Sequence, residues 1–471
     1  MRRPADRPAL NALPGGAPAR GLRLSPRGWL AVTALLLGIM LWASDGHLGP
    51  GGVPFLLLSW AAMIAAFLSG QPDDTRVVER LLSVAVLVQL VLLIARPPGQ
   101  YLLPDLERHL FLAPWFPAAL AGMAILSTSF ILERPLFGRG TFPTILGLFA
   151  LASAWMLLAA PHPWIDVIDF GRESALALVH GKNPYDLHLH NIYGHTRYFG
   201  PGFATDQTID VGLVYPPMSL LLTSLGQWLA GDSRATLVFA LVVTAVLIDR
   251  LGGRAARLCA ILFLTTPRQY FVIEHGWTEP LFVCGFALLL LLARRRARGT
   301  AVVLGALLAL KQFAVLLLPL LHLLVGELRP RRSLRLLALA LVVAAALIAP
   351  FFFWDPHAYL RSTVLFHLAQ PFRADSLSFA ALWAWARGEV APPTTVPTLI
   401  CLGAALVVAL RRCRPTPAGF AAGCALVLLA TLAWSKQAHC NYLYLVVGLL
   451  LCSVAAAEPE SAPSPRGRTV G

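Results

Sequence analysis

Long apolar runs recur along the chain and constrain its fold more than any other feature. A helix needs about 20 mostly apolar residues to span a bilayer, and runs approaching that length alternate with polar connectors. Of the 471 residues, 57% are hydrophobic and 13% are charged, against about 25% charged residues in an average soluble protein. The pattern predicts an all-α polytopic membrane protein, because helices satisfy their own backbone hydrogen bonds in lipid.

The charged residues indicate how the chain is oriented. Arginines stand in short clusters between apolar runs, as in the cytoplasmic loops of membrane proteins. The net charge of +14 therefore does not indicate a nucleic-acid partner. The only three lysines are Lys182, Lys311 and Lys436, and the predicted topology places all of them on the outer face. The seven cysteines have no metal-ligand spacing and are typical of buried core positions.

Hydropathy and charge together predict about fourteen spans in an inner or plasma membrane, with both termini cytoplasmic. Residues 1–27 and 458–471 are expected to be disordered tails. Residues 28–141 form an N-terminal block of four spans, and residues 142–457 form the main membrane domain. The predicted spans lie at about 28–43, 52–69, 81–95, 110–131, 142–160, 234–248, 257–270, 278–293, two arms within 300–326, 335–350, 394–410, 418–433 and 442–456.

Two segments leave alternatives that the charges decide. The stretch that follows Tyr215-Pro216-Pro217 is marginal in length for a span. A crossing there would put every later arginine cluster outside, so we expect it to lie at the outer surface or to re-enter the membrane without crossing it. The segment 300–326 is either one helix or a tight hairpin that turns near Lys311-Gln312. The hairpin is favoured because it keeps the following RPRRSLR sequence inside.

Two long outer loops are predicted, at 161–233 and 350–393. The first is the longest polar interruption in the chain, and we interpret it as an extracytoplasmic site loop that the other outer loops complete. Within it, a short helix is expected from Phe170 to His180, ending at Gly181 as a C-cap. Charged groups close to a membrane are costly and are therefore functional candidates.

Asp166 and Asp169 are the candidate catalytic carboxylates. Asp166 follows the apolar pair Trp164-Ile165, a setting that raises a carboxyl pKa and suits a general base. The alternative is that a loop aspartate caps the helix that follows, a role that Asp169 suits better. The sequence alone leaves both interpretations open.

Cationic and polar side chains on the same predicted face could bind a substrate. Basic side chains can clamp a phosphate or diphosphate, although interfacial anchoring is the alternative for the arginines. Glu274 and Glu279 flank Trp277 and either orient sugar hydroxyls or cap the next helix. His275 and His439 lack metal-ligand spacing and are better explained as interfacial residues. The candidate phosphate-binding residues are Lys311, Arg361, Arg373 and Lys436.

Known nucleotide and zinc-protease motifs are absent from the sequence: it has no Walker loop, strand-linked GxGxxG, GxSxG or HExxH. This argues against an ATP-driven pump, a dinucleotide enzyme and a zinc protease. An enzyme of this kind would need an activated substrate delivered within the membrane.

Several short motifs occur in a characteristic order. They are IDVIDFGRESALALVHGKNPYD, YPPMSLLL, GWTEP, LKQ, QPFRADSLS and SKQAHCNY. Together they resemble the GT-C superfamily of polytopic glycosyltransferases, and most of all glycosyltransferase family 87, the polyprenyl-phosphate-mannose-dependent mannosyltransferases. The resemblance covers about residues 142–457, so the first four spans are an addition to the usual arrangement.

The resemblance implies a mechanism and a set of roles. An outer-loop acid deprotonates the acceptor, a glycan or lipid, and a single displacement at the sugar of a polyprenyl-phosphate donor inverts its configuration. Asp166 matches the acid by position, with Asp169 as the fallback. Some superfamily members need a divalent metal, but the chain has no second DxD-like element and no cofactor is predicted. Lys311, Arg373 and Lys436 resemble the basic residues of the family that hold the lipid phosphate. Apart from the resemblance, the residues predicted to contact the sugar or acceptor are Glu274, Glu279, Tyr185 and His439.

Two other function classes remain open at this stage. A transporter or flippase of a lipid-linked or small polar solute would also be mostly membrane. Such proteins often contain internal repeats with binding groups near the midplane, whereas this sequence has no evident repeat and gathers its polar groups at one face. A non-catalytic assembly subunit would tolerate replacement of Asp166.

Overall fold

The computed structural model describes residues 24–106, 112–326, 330–388 and 390–457. Its regular structure is almost entirely helical, as the sequence predicts. The predicted tail at 458–471, and all but residues 24–27 of the predicted tail at 1–27, lie outside the described residues.

The first five helices coincide approximately with the first five predicted spans. Ser25 caps the first by accepting a hydrogen bond from the Gly28 N–H at 3.2 Å. Asp74 caps the third through the N–H groups of Arg76 and Val77, so that helix starts before its apolar part. The helices are α1 (Pro26–Ser44), α2 (Val53–Leu68), α3 (Thr75–Ile94), α4 (Trp115–Ile131) and α5 (Thr141–Ala159), with a 3-10 turn at Gly138–Gly140.

The first predicted outer loop contains two helices and a short strand pair. Helix α6 (Asp166–Val179) starts four residues before the predicted start at Phe170, because carboxylates in its first turn favour the positive end of the helix dipole. Gly181, with φ of +67°, follows it as predicted. Strands β1 (Leu189–His190) and β2 (Thr208–Ile209) are antiparallel and too short to leave a sequence pattern. Helix α7 (Pro217–Ala230) ends the loop.

The remaining helices are partly broken. The predicted seventh span is interrupted after Leu264, where Pro267 and the left-handed Arg268 (φ +67°) prevent one continuous helix. A 3-10 helix at Gln312–Leu320 follows a second break. The helices are α8 (Ala235–Arg250), α9 (Gly253–Leu264), α10 (Gln269–Glu274), α11 (Glu279–Arg294), α12 (Thr300–Leu308), α13 (Leu321–Val325), α14 (Pro330–Trp354), α15 (Pro356–Leu360), α16 (Phe366–Ala369), α17 (Phe379–Ala386), α18 (Thr395–Arg412), α19 (Pro417–Ala433) and α20 (Cys440–Ala456), with a π turn at Arg361–Leu365.

Within the described ranges, five helices are long and apolar enough to cross a membrane, or six if α7 and α8 form one span. Helices α7 and α8 are bent by 112°, a geometry compatible with a surface position for α7. Several further apolar helices are shorter than this criterion requires. These findings support a membrane protein with several spans. The qualifying helices are Pro26–Ser44, Thr75–Ile94, Gly138–Ala159, Arg331–Trp354 and Thr395–Arg412.

Central and peripheral helices differ in burial. Helix α20 is buried along nearly its whole length. By contrast, only 17% of the apolar window of α14 and 11% of that of α18 is buried. The exposed side chains of these two helices include Val342 and Ile400. Such continuous apolar exposure suits a lipid environment better than water.

Contacts between connectors divide them between two ends of the bundle. At one end Arg27 pairs with Asp73 at 3.0 Å, and Arg254 pairs with Glu133 at 2.6 Å and lies 3.8 Å from Glu79. We call this the basic end. It includes the connectors at 69–74, 132–140, 251–252, 295–299 and 413–416.

The opposite end, which we call the loop end, carries the long loops. There the backbone N–H of Arg373 donates to the Lys436 carbonyl at 2.9 Å, and Lys311 contacts Glu279 at 2.9 Å. The loop end includes the connectors at 45–52, 95–106, 160–234, 265–278, 309–311, 355–388 and 434–439.

The segment 300–326 starts and finishes at the basic end. Its turn at Lys311 lies at the loop end, whereas a Cβ on Gly326 would lie 3.4 Å from the Pro415 carbonyl oxygen at the basic end. This is the arrangement that the hairpin interpretation requires. Helix α12 and the 3-10 helix form its two arms.

The turn between α1 and α2 is packed into the loop end. The Leu377 N–H donates to the Gly46 carbonyl at 3.1 Å, and the Leu48 N–H donates to the Asp375 carbonyl at 2.8 Å. Gly46 has φ of +78°, and a Cβ there would lie 2.3 Å from the Cys440 nitrogen. Only glycine fits this position without displacing the neighbouring backbone.

Candidate active site

Asp166 begins α6 and lies partly buried at the loop end. Its backbone N–H donates to the Tyr193 hydroxyl oxygen at 3.3 Å. The Trp164 indole N–H donates to the Ile192 carbonyl at 3.1 Å and fixes the preceding turn. Burial raises the pKa of Asp166 to about 6, against the lowering effect of hydrogen bonds from Tyr193 and the Val167 backbone. A carboxyl with this pKa is mostly ionised at neutral pH and remains a competent base.

Two tyrosines link Asp166 to Arg373. The rings of Tyr193 and Tyr198 meet edge to face with centroids 5.0 Å apart. The Arg373 guanidinium stacks over Tyr198, 4.3 Å from the ring centroid. Its positive charge also lowers the pKa of Asp166. The acid and the cation therefore lie within electrostatic reach of each other.

A second basic residue, Lys436, is joined to Arg373 through the backbone. The guanidinium pairs with Asp375 through two bonds of 2.8 and 2.7 Å. Lys436, whose carbonyl accepts the Arg373 N–H, directs its own ammonium to the Leu368 carbonyl at 2.8 Å. Among the residues that the structure describes, no carboxylate pairs with Lys436. Its charge is consequently available to an anionic ligand.

Two histidines, His47 and His439, lie close to the Arg373–Asp375 pair. His47, from the turn after α1, lies 3.5 Å from the Asp375 carboxylate. Its ring is 6.1 Å from that of His439. Burial, followed by the charge of Arg373, lowers the pKa of His439 to about 4. His439 is therefore neutral at physiological pH and can accept or donate hydrogen bonds without adding charge.

Glu279 and Lys311 form a buried ion pair at 2.9 Å. Glu279 is 0% exposed and Lys311 is 2% exposed. The Lys311 ammonium lies 3.8 Å from the centroid of the Tyr215 ring. Burial raises the pKa of Tyr215, and the charges of Glu279 and Asp166 raise it further. Tyr215 therefore lies within electrostatic range of both Glu279 and Asp166.

Glu274 is buried and holds the connector after α3. One of its carboxylate oxygens accepts the Gln100 N–H at 2.8 Å, and the other accepts the Tyr101 N–H at 2.7 Å. The Tyr101 ring lies 5.5 Å from that of His275. Burial raises the pKa of Glu274, although these two backbone bonds oppose the rise. The geometry gives Glu274 a role in positioning Tyr101 instead of direct sugar contact.

Three other predicted residues make contacts within the first outer loop or between the two outer loops. Arg361 donates to the Gly202 carbonyl at 2.6 Å. The Tyr185 hydroxyl donates to the Tyr215 carbonyl at 3.0 Å, and the Tyr185 side chain is 1% exposed. Asp169 pairs with Arg172 at 3.1 Å. Asp169 lies in the first turn of α6 and is not its N-cap, which is Ile165.

The structure thus brings together only some of the predicted site residues. Those that lie in the same part of the loop end are Asp166, Arg373, Lys436, His439, Lys311 and Glu279. No three His, Cys, Asp or Glu side chains in the described part of the chain are arranged as metal ligands.

Tyrosines are the residues that sequence reasoning missed. Tyr193 contacts Asp166, and Tyr198 contacts Arg373. Tyr215 contacts Lys311, and Tyr101 belongs to the N-terminal block. Their signal is present in the sequence, because NIYGHTRYFG is unusually aromatic for a polar loop segment. Aromatic side chains with one polar atom are suited to lining a wet site.

Comparisons of the chain with family models, with curated proteins and with solved structures find no match.

Proposed function

We propose that the protein is an inverting glycosyltransferase with about fourteen membrane spans. It moves a hexose, with mannose as the first candidate, from a polyprenyl-phosphate donor to a hydroxyl of a glycan or lipid acceptor. The observation that carries the proposal is Asp166, a partly buried carboxyl with a pKa of about 6 within reach of the Arg373 charge. Carboxyl groups tuned in this way are typical of general bases.

The proposed reaction is one displacement. Asp166 takes the proton of the acceptor hydroxyl while the acceptor oxygen attacks the anomeric carbon. The bond between that carbon and the phosphate oxygen breaks, and the oxygen keeps the electron pair. Arg373 and Lys436 stabilise the negative charge that the departing polyprenyl phosphate gains. Attack from the face opposite the leaving group inverts the configuration.

The distribution of connectors supports a site on the outer side of the membrane. The basic end collects the arginine clusters, which mark the cytoplasmic side in membrane proteins. Arg27 donates to the Val454 carbonyl at 2.9 Å, so both ends of the described chain meet at the basic end. This supports cytoplasmic termini. Successive long helices change ends along the chain, which supports the arrangement of about fourteen spans.

The test is sugar transfer by the purified protein in lipid vesicles. A panel of polyprenyl-phosphate sugars is supplied with membrane-extracted acceptors, and wild type is compared with Asp166→Asn. Loss of a general base should reduce transfer by about 100- to 10,000-fold. Asp206→Asn is the matched control, because Asp206 is an exposed acid in the same loop and should leave transfer unchanged.

Each other result has a defined meaning. Transfer that survives Asp166→Asn but is lost in Asp169→Asn would move the base to Asp169. Transfer that survives both substitutions would contradict an aspartate base in α6. If wild type transfers none of the sugars but moves a fluorescent lipid-linked sugar across the vesicle membrane, the protein is a flippase.

A further inference from the structure

The buried Glu279–Lys311 pair has unused hydrogen-bonding capacity. Glu279 Oε1 accepts from Lys311 Nζ, but Oε2 is buried and has no hydrogen-bond partner among the described residues. The hydroxyl of Thr278, the preceding residue, is also buried and has no hydrogen-bond partner among the described residues. A buried charged oxygen without a partner is costly. Groups of this kind in a native structure call for an explanation, and a missing ligand is one.

The Lys311 ammonium also has donors to spare. It carries three N–H groups, of which one serves Glu279 Oε1 while the ammonium faces the Tyr215 ring. A carboxylate acceptor and an ammonium donor therefore stand next to each other at the loop end. A ligand hydroxyl could donate to Glu279 Oε2 and accept from Lys311 Nζ, which would satisfy both groups.

The charge of the pair argues against a phosphate at this position. Like charges about 4 Å apart repel by roughly 4 kcal/mol at an effective dielectric constant of 20. A phosphate on Lys311 would stand beside the Glu279 partner of the ion pair, and both would be shielded from water. A neutral polyhydroxyl ligand meets no such repulsion.

Lys436 and Arg373 differ from Lys311, because among the described residues neither is paired with a buried carboxylate that would repel an anion. Lys436 donates to a backbone carbonyl, and no described carboxylate pairs with it. Arg373 is paired with Asp375, but the Asp375 side chain is 46% exposed, so water screens its charge. An anion can therefore approach this group more favourably than it can approach Lys311.

We propose that the Glu279–Lys311 pair binds hydroxyl groups of the transferred sugar, whereas Lys436 and Arg373 bind the phosphate of the donor. This inference rests on the proposed transferase function and divides its site into two subsites. It also changes the role expected for Lys311 from the sequence, which was phosphate binding. Glu279 and Lys311 become residues that determine sugar specificity.

The experiment separates sugar from phosphate recognition. Transfer is measured with the intact donor and with donors that lack single hydroxyls, and free polyprenyl phosphate is titrated as an inhibitor. Glu279→Gln and Lys311→Met should raise the KM for the intact donor by about 10- to 100-fold. They should lose discrimination against one deoxy donor and keep the wild-type inhibition constant. Lys436→Met should instead weaken inhibition by about 10-fold or more and keep sugar discrimination.

Folding is controlled with the double variant Glu279→Gln/Lys311→Met, which leaves no unpaired charge. Such paired neutral replacements are often tolerated, so its melting temperature should stay close to that of wild type while its sugar discrimination is lost. Weaker inhibition by polyprenyl phosphate in Lys311→Met, with discrimination intact, would overturn the inference but leave the transferase function standing. Absence of transfer by wild type would instead remove the proposed function itself.

Discussion

Two ion pairs, one at each end of the helical bundle, hold their charges in opposite ways. At the basic end, Arg254 pairs with Glu133, whose side chain is 74% exposed. At the loop end, Glu279 and Lys311 pair at a similar distance but are almost fully buried. The first arrangement costs little desolvation and anchors helix ends in water. The second keeps charge in a low-dielectric environment, where it interacts strongly with a ligand.

The same contrast extends to the choice of residue. Arginines at the basic end combine ion pairs with bonds to carbonyl groups at helix ends, as Arg254 does with Ile131 at 2.9 Å. The planar guanidinium can serve several acceptors at once. Lys311 and Lys436 at the loop end present compact charges with free donors. Under the proposed function, the arginine clusters set the orientation in the membrane, and Lys311 and Lys436 bind the donor.

The largest expected effect comes from breaking the buried pair. Glu279→Ala leaves the Lys311 ammonium unpaired in the interior and should lower the free energy of unfolding by about 3–5 kcal/mol. The measurement is denaturant unfolding in mixed micelles. A variant as stable as wild type would show that Lys311 reaches water or lipid phosphate, which would remove the contrast between the two ends.

A smaller effect concerns the pH dependence of transfer. Asp166 must be ionised to accept a proton, so the rate should fall as pH drops through about 6. Tyr193→Phe removes a hydrogen bond that favours the carboxylate. The pKa of Asp166 should rise by about one unit or less, and the acid limb of the pH–rate profile should move to higher pH.

The control for this shift is Tyr359→Phe. Tyr359 is a buried tyrosine whose ring centroid lies 4.9 Å from that of Tyr185. Its profile should match that of wild type. An acid limb that does not move in Tyr193→Phe would indicate that another group controls the rate.

The smallest effect is expected at the basic end. Glu133→Gln removes the charge of an exposed ion-pair partner and should change stability by about 1 kcal/mol or less. Sugar transfer should be unaffected. The same unfolding measurement applies, repeated at high salt, where the difference from wild type should vanish because exposed charges are screened. A loss as large as that of Glu279→Ala would mean that both ends depend on their ion pairs alike.

Much of the helical layout follows from hydropathy, and its errors have physical causes. Helix α3 starts at Thr75 and not near residue 81, because its polar first turn is capped by Asp74 and carries no hydropathy signal. The break before α10 follows from Pro267, which a hydropathy window averages away. The grouping of connectors at two ends follows from the arginine clusters, because charge placement is itself a property of the sequence.

Pairings across the bundle could not be predicted in this way. Glu279 and Lys311 are 32 residues apart, and nothing local marks either as the partner of the other. The position of Glu274 beside Trp277 suggests either a sugar contact or a helix cap, yet its carboxylate accepts backbone N–H groups from residues more than 170 positions away. Tertiary contacts assign such roles, and a single sequence does not carry them.

The close packing of Gly46 against Cys440 has a consequence for truncating this chain. Backbone bonds tie the α1–α2 turn to the segment that carries Asp375, and Asp45 pairs with the buried Arg268. Removal of the first four helices would leave Arg268 without Asp45, and Glu274 without the backbone N–H groups of Gln100 and Tyr101. Helices α1–α4 are therefore not an independently removable domain. A chain shortened to begin after α4 would lose several loop-end contacts at once, as if several residues had been mutated together.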